Sequence, residues 1–235
     1  MSVAPSPYTL VGYAGVDVSS YQRPSEIDWR EVRRSGSLWA YVKATEGQGY
    51  VDPSCFEHAV RAESGGVAVG YYHFARPDSI SGTPEEDARA EATDFLEAMA
   101  ALPKGGLPPV LDWEKPSPNL GKDGMAAWAL TFLSELEDEG CYPVIYTGRN
   151  HMRDTTTLEP DFTEYPLWQP WYREGRDPWL GPPEIAEPWS QWSIYQYSGT
   201  GRVSGYEGPI DVNVATRDFL IDALGLDSLI NRPLA

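Results

Sequence analysis

Short apolar stretches that end in polar residues alternate with segments of helical periodicity along most of the chain. The apolar stretches predict strands, and the periodic segments between them predict helices. The predicted strands cover residues 13–19, 38–47, 67–74, 109–114, 142–147, 165–169, 193–197 and 210–213. The predicted helices cover residues 27–35, 53–64, 84–101, 123–139 and 215–224. Strands that alternate with helices favour a mostly parallel sheet covered by helices.

The second half of the chain departs from this regular alternation. After the strand that ends at Thr147 the helical signals fade, and a segment rich in Pro and Trp joins the later strands. Roughly eight strands with helices missing in the second half predict an α/β fold, an irregular, TIM-like (β/α) barrel rather than an open doubly wound sheet. We assign residues 13–225 to this barrel, residues 1–12 to a leader, and residues 226–235 to a tail or the start of a linker.

Acidic residues follow the ends of several predicted strands, namely Asp17, Glu46, Asp112, Glu114 and Asp211. In (β/α) barrels the carboxyl ends of the strands build the active site, so acids from separate strands converge there. Taken singly, Asp17 is equally well a turn residue, and Asp211 is equally well an acid at a helix N-terminus. Taken together, the acids predict a shared cleft.

The stretch from Pro109 to Glu114 is the most informative part of the chain. It is apolar and then abruptly acidic, with Asp112 and Glu114 separated by Trp113. Side chains alternate along a strand, so the two acids face one side, with Cβ atoms about 6.6 Å apart, and Trp113 faces the other. The alternative is two solvated acids in a loop, and the other acids at the strand ends favour a site.

Composition narrows the choice of partners. Of the 235 residues, 41% are hydrophobic and 23% are charged, which is a globular balance, and the formal net charge is -17. Such an acidic surface repels nucleic acid and anionic lipid, so we expect neither nucleic acid nor a membrane as a partner. Nothing in the sequence indicates an oligomer, and we expect a monomer.

Cysteine and histidine are too few and too dispersed to indicate a metal centre. Cys55 and Cys141 are far apart, and His58, His73 and His151 follow no metal-ligand spacing, so we expect no metal and no cofactor. No apolar stretch has the length of a membrane-spanning helix. Residues 1–10 lack a basic segment and a continuous apolar run, so we expect no signal peptide and synthesis in the cytoplasm.

Converging carboxylates with few histidines and no nucleophile motif are typical of glycoside hydrolysis. One acid protonates the leaving oxygen, while another serves a water, a covalent intermediate or a cationic centre. A sugar groove also needs flat apolar faces, and aromatic residues crowd into one late region. The six aromatic residues of this region are Trp168, Trp171, Tyr172, Trp179, Trp189 and Trp192. We expect at least two of the six to line the cleft.

The motifs resemble, in content and order, those of glycoside hydrolase family 25, the muramidases also called CH-type lysozymes. The resemblance covers residues 12–224, and its motifs lie at residues 15–19, 41–47, 70–74, 110–114 and 210–213. It implies an irregular (β/α) barrel that cleaves the β-1,4 bond between N-acetylmuramic acid and N-acetylglucosamine in the peptidoglycan glycan strand. The family includes bacterial, fungal and phage enzymes, and the expected lack of a signal peptide favours a phage-type endolysin. A tail-associated lytic part or a fragment of a longer protein would show the same features, and these alternatives stay open.

The resemblance also implies roles for the acids. Glu114 resembles the general acid, and Asp112 resembles its partner, which orients or stabilises the substrate acetamido group or its intermediate. Asp17 and Asp211 correspond to the remaining acids of the cleft. The substrate-binding candidates are Tyr146, which resembles a cleft tyrosine, and Tyr72, Trp168, Trp171 and Tyr197.

Three further motif residues have a structural interpretation that we favour. Lys43 and Glu46 are expected to form an ion pair, and His73 is expected to be a hydrogen-bonded histidine at the barrel rim. The segment at residues 169–171 and the Pro- and Trp-rich segment at residues 176–192 depart from the family pattern. These departures affect the specificity of the groove and leave the acid set intact.

Two alternatives to a muramidase stay open at this point. One is a glycan-binding barrel without turnover, against which the intact Asp112 and Glu114 pair argues. The other is a hydrolase of chitin-like oligosaccharides, which differs only in its substrate. The stereochemical outcome also stays open, because carboxylate separation selects retention or inversion and the acetamido group of the substrate permits a third route.

Overall fold

A computed structural model describes residues 12–78, 82–173, 175 and 178–224. Except for Gly12, the expected leader lies outside these residues, and so does the expected tail. The strands are β1 (Gly12–Val18), β2 (Trp39–Glu46), β3 (Tyr50–Val51), β4 (Ala68–Phe74), β5 (Val110–Asp112), β6 (Val144–Tyr146), β7 (Leu167–Pro170), β8 (Ile194–Val203) and β9 (Tyr206–Thr216). The helices are α1 (Trp29–Arg34), α2 (Cys55–Ser64), α3 (Pro84–Ala100), α4 (Lys122–Asp138), α5 (Arg149–Thr155) and α6 (Arg217–Leu224).

The strands close into an irregular barrel, as the sequence predicts. Their order is β1-β9-β8-β7-β6-β5-β4-β2-β3, and an additional pairing of β1 with β2 closes the ring. Neighbouring strands from β1 through β2 and β4 to β8 are parallel, and β3 is a short antiparallel addition to β2. The helical cover thins in the second half, where a 3-10 turn at Pro160–Glu164 precedes β7.

The last strand corrects the sequence prediction in direction and length. The prediction was a parallel strand over residues 210–213, whereas β9 is longer and runs antiparallel to both β1 and β8. The final helix accordingly begins at Arg217, and not at Ala215 as predicted. Helix α5 and strand β3 are elements that the sequence pattern did not predict. Asp211 lies in the middle of the reversed β9, where it pairs with Asp17 of β1.

Alternation along the strands separates an inner core from an outer one. The inner core fills the barrel with large rings, among them Trp39, Tyr41 and Trp168, and the Tyr41 and Trp168 centroids are 5.0 Å apart. Gly15 makes room for them, because a Cβ there would lie 2.2 Å from the Trp39 ring. The outer core packs the other strand faces, such as Val42, against the helices. The barrel is therefore a filled structure whose next interior layer lies at the cleft.

The interactions expected of Lys43, Glu46 and His73 are present. The Lys43 ammonium donates to the Glu46 carboxylate at the barrel rim. His73 is fully buried in the outer core rather than at the rim, where its ring nitrogens contact Thr45 Oγ1 at 2.8 Å and Glu91 Oε2 at 2.6 Å. Burial lowers the pKa of His73 to about 3, so its imidazole is neutral.

The amino-terminal ends of the strands surround a large cavity of about 870 Å³, which lies between α6 and the strand starts. Its walls include Gly12, where β1 begins, Thr216, where β9 ends, and Phe219 of α6. Trp179 and Trp192 from the late aromatic region also line it. In the part of the chain covered by the structure, no helix has the length and apolar character required to cross a lipid bilayer.

Candidate active site

A smaller cavity of about 220 Å³ lies at the other end of the barrel, where the parallel strands end. The acids predicted to act in catalysis all line it, and they are Asp17, Asp112, Glu114 and Asp211. None of these acids reaches the larger cavity at the amino-terminal ends of the strands, which has the greater volume. We therefore identify the smaller cavity as the candidate active site, because its walls carry converging titratable groups.

Strand alternation continues past the end of β5 and places the central acid pair. Trp113 N donates to Tyr146 O at 2.8 Å, so the chain remains in register beyond Asp112. The Trp113 side chain is buried outside the barrel, 5.2 Å from the His151 ring centroid and 5.4 Å from that of Phe162. Asp112 and Glu114 consequently both face the cavity, as the sequence predicts.

The two acids of this pair differ in exposure. Glu114 is exposed at the mouth of the cavity, whereas Asp112 is half-buried at the end of β5. The Oδ1 atom of Asp112 is buried and has no hydrogen-bond partner among the described residues. A buried polar atom without a partner is costly, so Asp112 Oδ1 is available to a ligand group.

Asp17 is held by amides from the two strands that close the barrel. Its Oδ2 atom accepts from Gln196 Nε2 at 2.8 Å and from Asn213 Nδ2 at 2.7 Å. Asn213 Oδ1 in turn accepts from Trp168 Nε1 at 2.9 Å, which fixes the orientation of that amide. These bonds link β1, β7, β8 and β9 and aim the Asp17 carboxylate at the cavity.

Two tyrosines fix the second amide. Gln196 Oε1 accepts from the Tyr146 hydroxyl at 2.7 Å and also from the Tyr172 hydroxyl. With its oxygen occupied, Gln196 has only its NH₂ group to offer to Asp17. Burial raises the pKa of both tyrosines, so they remain neutral donors.

Burial raises the pKa of every acid in the cavity, and repulsion by neighbouring acids adds to this for Asp17, Asp112 and Asp211. Burial is the main cause for Asp17, whose pKa rises to about 6 although its two amide donors lower it. Burial and the neighbouring Asp17 and Glu114 raise the pKa of Asp211 to about 8. The pKa of Asp112 lies well above its usual range, because of burial and then of Glu114 and Asp17. Partial burial also raises the pKa of Glu114, against the lowering effect of Lys115 and Lys43.

The predicted binding residues divide into two groups. Tyr72, Tyr146 and Trp168 line the cavity with the acids. Trp171 and Tyr197 do not belong to its described walls. Trp171 contributes its backbone, with its N bonded to Gln196 O, and Tyr197 packs against the outer core.

Of the six late aromatic residues, two line the cavity, Trp168 and Tyr172, which agrees with the expectation of at least two. Trp189 lies in the outer core, where its Nε1 donates to Tyr165 O at 2.9 Å. The expected aromatic lining is therefore formed by fewer rings than the sequence offers.

Gln196 and Asn213 are site residues to which the sequence analysis gave no role. Both lie in predicted strands, and Asn213 follows Asp211 by two positions, the spacing that keeps side chains on one face of a strand. That spacing could have indicated that Asn213 faces the same cleft as Asp211. Phe74 and Lys43 also line the cavity without having been proposed as binding residues, and Tyr172 was expected there only as one of the six late aromatic residues.

Comparison with known protein sequences finds a family and relatives whose motifs this chain shares. The family model described as glycosyl hydrolases family 25 matches residues 16–206. Lysozyme M1 of Streptomyces globisporus is 31% identical over 216 residues, covering 88% of this chain and 69% of that protein.

Solved structures of lysozymes have folds similar to that of this chain. The bacterial lysozyme of Streptomyces coelicolor has a TM-score of 0.75 and 29% identity, covering 92% of this chain and 98% of that one. The family GH25 lysozyme of Aspergillus fumigatus has a TM-score of 0.74 and 27% identity, covering 92% and 100%.

The raised pKa of Asp211 predicts a pH-dependent cost in stability. Between its unfolded pKa of 3.8 and its folded pKa of about 8, the unfolded chain ionises Asp211 while the folded chain holds the proton, so stability is lost as pH rises. We expect Asp211→Asn to gain stability relative to the wild type between pH 4 and pH 8, by on the order of 1 kcal/mol, or a few degrees in Tm. Thermal unfolding at the two pH values measures this. The exposed Asp161→Asn is the control, and an equal offset at both pH values would contradict the prediction.

Proposed function

Because the chain belongs to glycosyl hydrolases family 25 and is a muramidase that hydrolyses peptidoglycan, we propose that Glu114 is its general acid and Asp112 the partner of that acid. The observation that carries this proposal is the acid pair on one side of the end of β5. Both carboxyls face the cavity, and the pKa of each is raised. A general acid needs a pKa near the working pH, and its position at the mouth favours Glu114 for contact with the glycosidic oxygen.

In the proposed first step, protonated Glu114 donates its proton to the oxygen that links the muramic acid and glucosamine units. The bond from that oxygen to C1 of the muramic unit breaks, and C1 becomes electron-poor. The acetamido carbonyl oxygen of the same sugar then bonds to C1. In the second step a water attacks C1, this bond breaks, and the water proton returns to Glu114.

Asp112 is proposed to hold the acetamido group during these steps. Its Oδ1 is buried without a hydrogen-bond partner in the described chain, so an acetamido N–H would satisfy it. The pKa of Asp112 is raised by burial and by Glu114, and loss of the Glu114 proton in the first step changes the charge that Asp112 faces. The two acids are therefore coupled, and their protons belong to the pair.

The remaining acids and rings are proposed to bind the sugar and the developing positive charge. Asp17 is aimed into the cavity by Gln196 and Asn213. Asp211 lies beside it, and Tyr72, Tyr146 and Trp168 supply hydroxyls and ring faces. Trp171 and Tyr197 stay proposed binding residues for sugar units beyond this cavity.

We also propose that the chain acts as a phage-type lysin, made in the cytoplasm and let through to the wall by a separate membrane protein. The support is the resemblance to a family that contains phage enzymes.

Glu114→Gln is expected to lower kcat on peptidoglycan by about 10²–10⁴-fold while the fold stays intact, because the amide cannot donate the proton. Release of reducing ends from purified walls measures activity, and far-UV circular dichroism measures folding. Glu97→Gln on the exposed face of α3 is the matched control.

Light scattering on the assayed sample tests the expectation that the active species is a monomer.

Undiminished cleavage by Glu114→Gln would remove Glu114 from the mechanism. Chitin oligosaccharides assayed beside peptidoglycan address the chitin-like alternative. Faster cleavage of chitin than of peptidoglycan would favour that alternative over a muramidase.

Participation by the acetamido group predicts retention of the β configuration at C1, because two displacements occur at that carbon. A proton NMR time course of a soluble muramyl oligosaccharide detects the first-formed anomer. Initial appearance of the α-anomer would show inversion and exclude the acetamido route.

For the lysin proposal, cells that express the chain in their cytoplasm are expected to stay intact until chloroform permeabilises the inner membrane, and then to lyse. Optical density records the lysis, and cells that express Glu114→Gln are the control. Lysis without permeabilisation would contradict a requirement for a separate membrane protein.

A further inference from the structure

Three cationic side chains surround the ring of Phe74, which lines the active-site cavity. Lys43 Nζ lies 4.7 Å from the ring centroid, Arg76 Cζ 5.0 Å and Lys115 Nζ 5.9 Å. Each distance is within the range of a cation–π contact. We name Lys43, Arg76 and Lys115 the basic cluster.

The basic cluster is only partly paired by hydrogen bonds. Glu46 accepts hydrogen bonds from both Lys43 and Arg76, while Lys43 and Lys115 also act electrostatically on the active-site acids Asp112 and Glu114. Lys115 is exposed, and across the described residues it has neither an ion pair nor a hydrogen bond. The chain has 18 Lys and Arg against 35 Asp and Glu, so three cations around one ring are not a consequence of its composition.

The members of the basic cluster differ in the exposure of their side chains. The Lys43 side chain is 11% exposed and lies in the cavity wall, whereas Arg76 is 47% exposed. Arg76 and Lys115 therefore present their charges beside Phe74 at the edge of the cleft. An anion bound at this edge would be attracted by both charges.

Muramic acid and glucosamine differ in one group. N-acetylglucosamine is uncharged, while the muramic unit carries an O-lactyl ether that ends either in a free carboxylate or in a stem peptide with acidic residues. A carboxylate beside the sugar chain is thus the chemical feature that distinguishes peptidoglycan from chitin. Arginine and lysine at a cleft edge are suited to bind it, and Arg76, whose Nε and Nη2 already donate to Glu46, has further N–H donors to offer.

We propose that the basic cluster is an anion subsite that binds the carboxylate borne by the lactyl substituent of muramic acid. This proposal rests on the proposed function, since it requires the glycan to lie in the cavity beside Glu114. The carboxylate has two sources, the lactyl group itself in peptide-free glycan and the acidic residues of the stem peptide. The subsite makes the enzyme prefer charged muramyl glycan over neutral glycan.

The experiment compares soluble glycan fragments in acidic form and after carbodiimide amidation, which neutralises their carboxylates. One pair of substrates carries stem peptides, and the other is stripped by an amidase so that only the lactyl carboxylate remains. The readout is the ratio of kcat/KM on the acidic form to that on the amidated form. We expect the wild type to favour the acidic form roughly 3- to 10-fold, the size of one or two exposed charge contacts.

Lys115→Gln and Arg76→Gln are each expected to lower this ratio, the double variant to bring it near one, and Lys115→Glu to lower it further than Lys115→Gln does. Lys104→Gln, exposed before β5, is the matched control and keeps the wild-type ratio. Because Arg76 also bonds Glu46, folding of its variant is checked by circular dichroism, and the Lys115 variants test the proposal without it. A preference with stripped glycan assigns the lactyl carboxylate, and one confined to peptide-bearing glycan assigns the stem peptide.

A wild-type ratio of one on both substrate pairs would overturn the anion subsite and leave the proposed function intact. Lys115 also lowers the pKa of Glu114, so its loss changes the rate on every substrate. If that were its only role, the acidic and amidated forms would change equally, the ratio would not move, and the subsite would be excluded. Full activity of Glu114→Gln would instead remove the acid assignment while the wild-type ratio still tested the subsite.

Discussion

The carboxylate of Asp17 accepts hydrogen bonds from Gln196 on β8 and Asn213 on β9, and this contact joins the first strand to the last two. The barrel closes along the same seam, where β1 pairs with β9 and β2. Each amide is fixed at its other end by a residue of the aromatic interior, Trp168 or Tyr146. Closure of the sheet, orientation of the interior rings and aim of the acid thus depend on one network, and a network of this kind has value only when all its members are satisfied.

The same arrangement has a cost. Acids that share one cavity raise one another's pKa, so the folded state resists the charges that chemistry near neutral pH requires. The barrel interior offsets this cost with fully buried rings, including Trp39 and Tyr41. The buried rings that stabilise the barrel and the acids of the cavity thus occupy adjacent layers of the barrel interior. Because side chains alternate along a strand, inward-facing residues of successive layers are two positions apart.

Local patterns were sufficient to predict the barrel class and the orientation of Asp112, Glu114 and Trp113, because alternation along a strand is a property of consecutive residues. The direction of β9 was not predictable, since residues 210–213 have the same pattern in a parallel and in an antiparallel strand. Gln196 and Asn213 lie 179 and 196 positions from Asp17 in the chain, and only folding brings the three together. Lys43, expected to be structural because of its pair with Glu46, also lines the cavity, which shows that an ion pair does not exclude a residue from a cleft wall.

The reversal of β9 also decides where the described chain begins and ends. Gly12 pairs with Thr216, and α6 then leads to Leu224, whose side chain lies against Gly106. Both ends therefore lie beside the large cavity at the amino-terminal ends of the strands, a full barrel height from Glu114. For protein engineering this is a practical geometry. A dye or a solid support attached at a surface position beside Gly12 or Leu224 leaves the mouth of the cleft facing away from the attachment, so immobilised enzyme can still meet an insoluble wall.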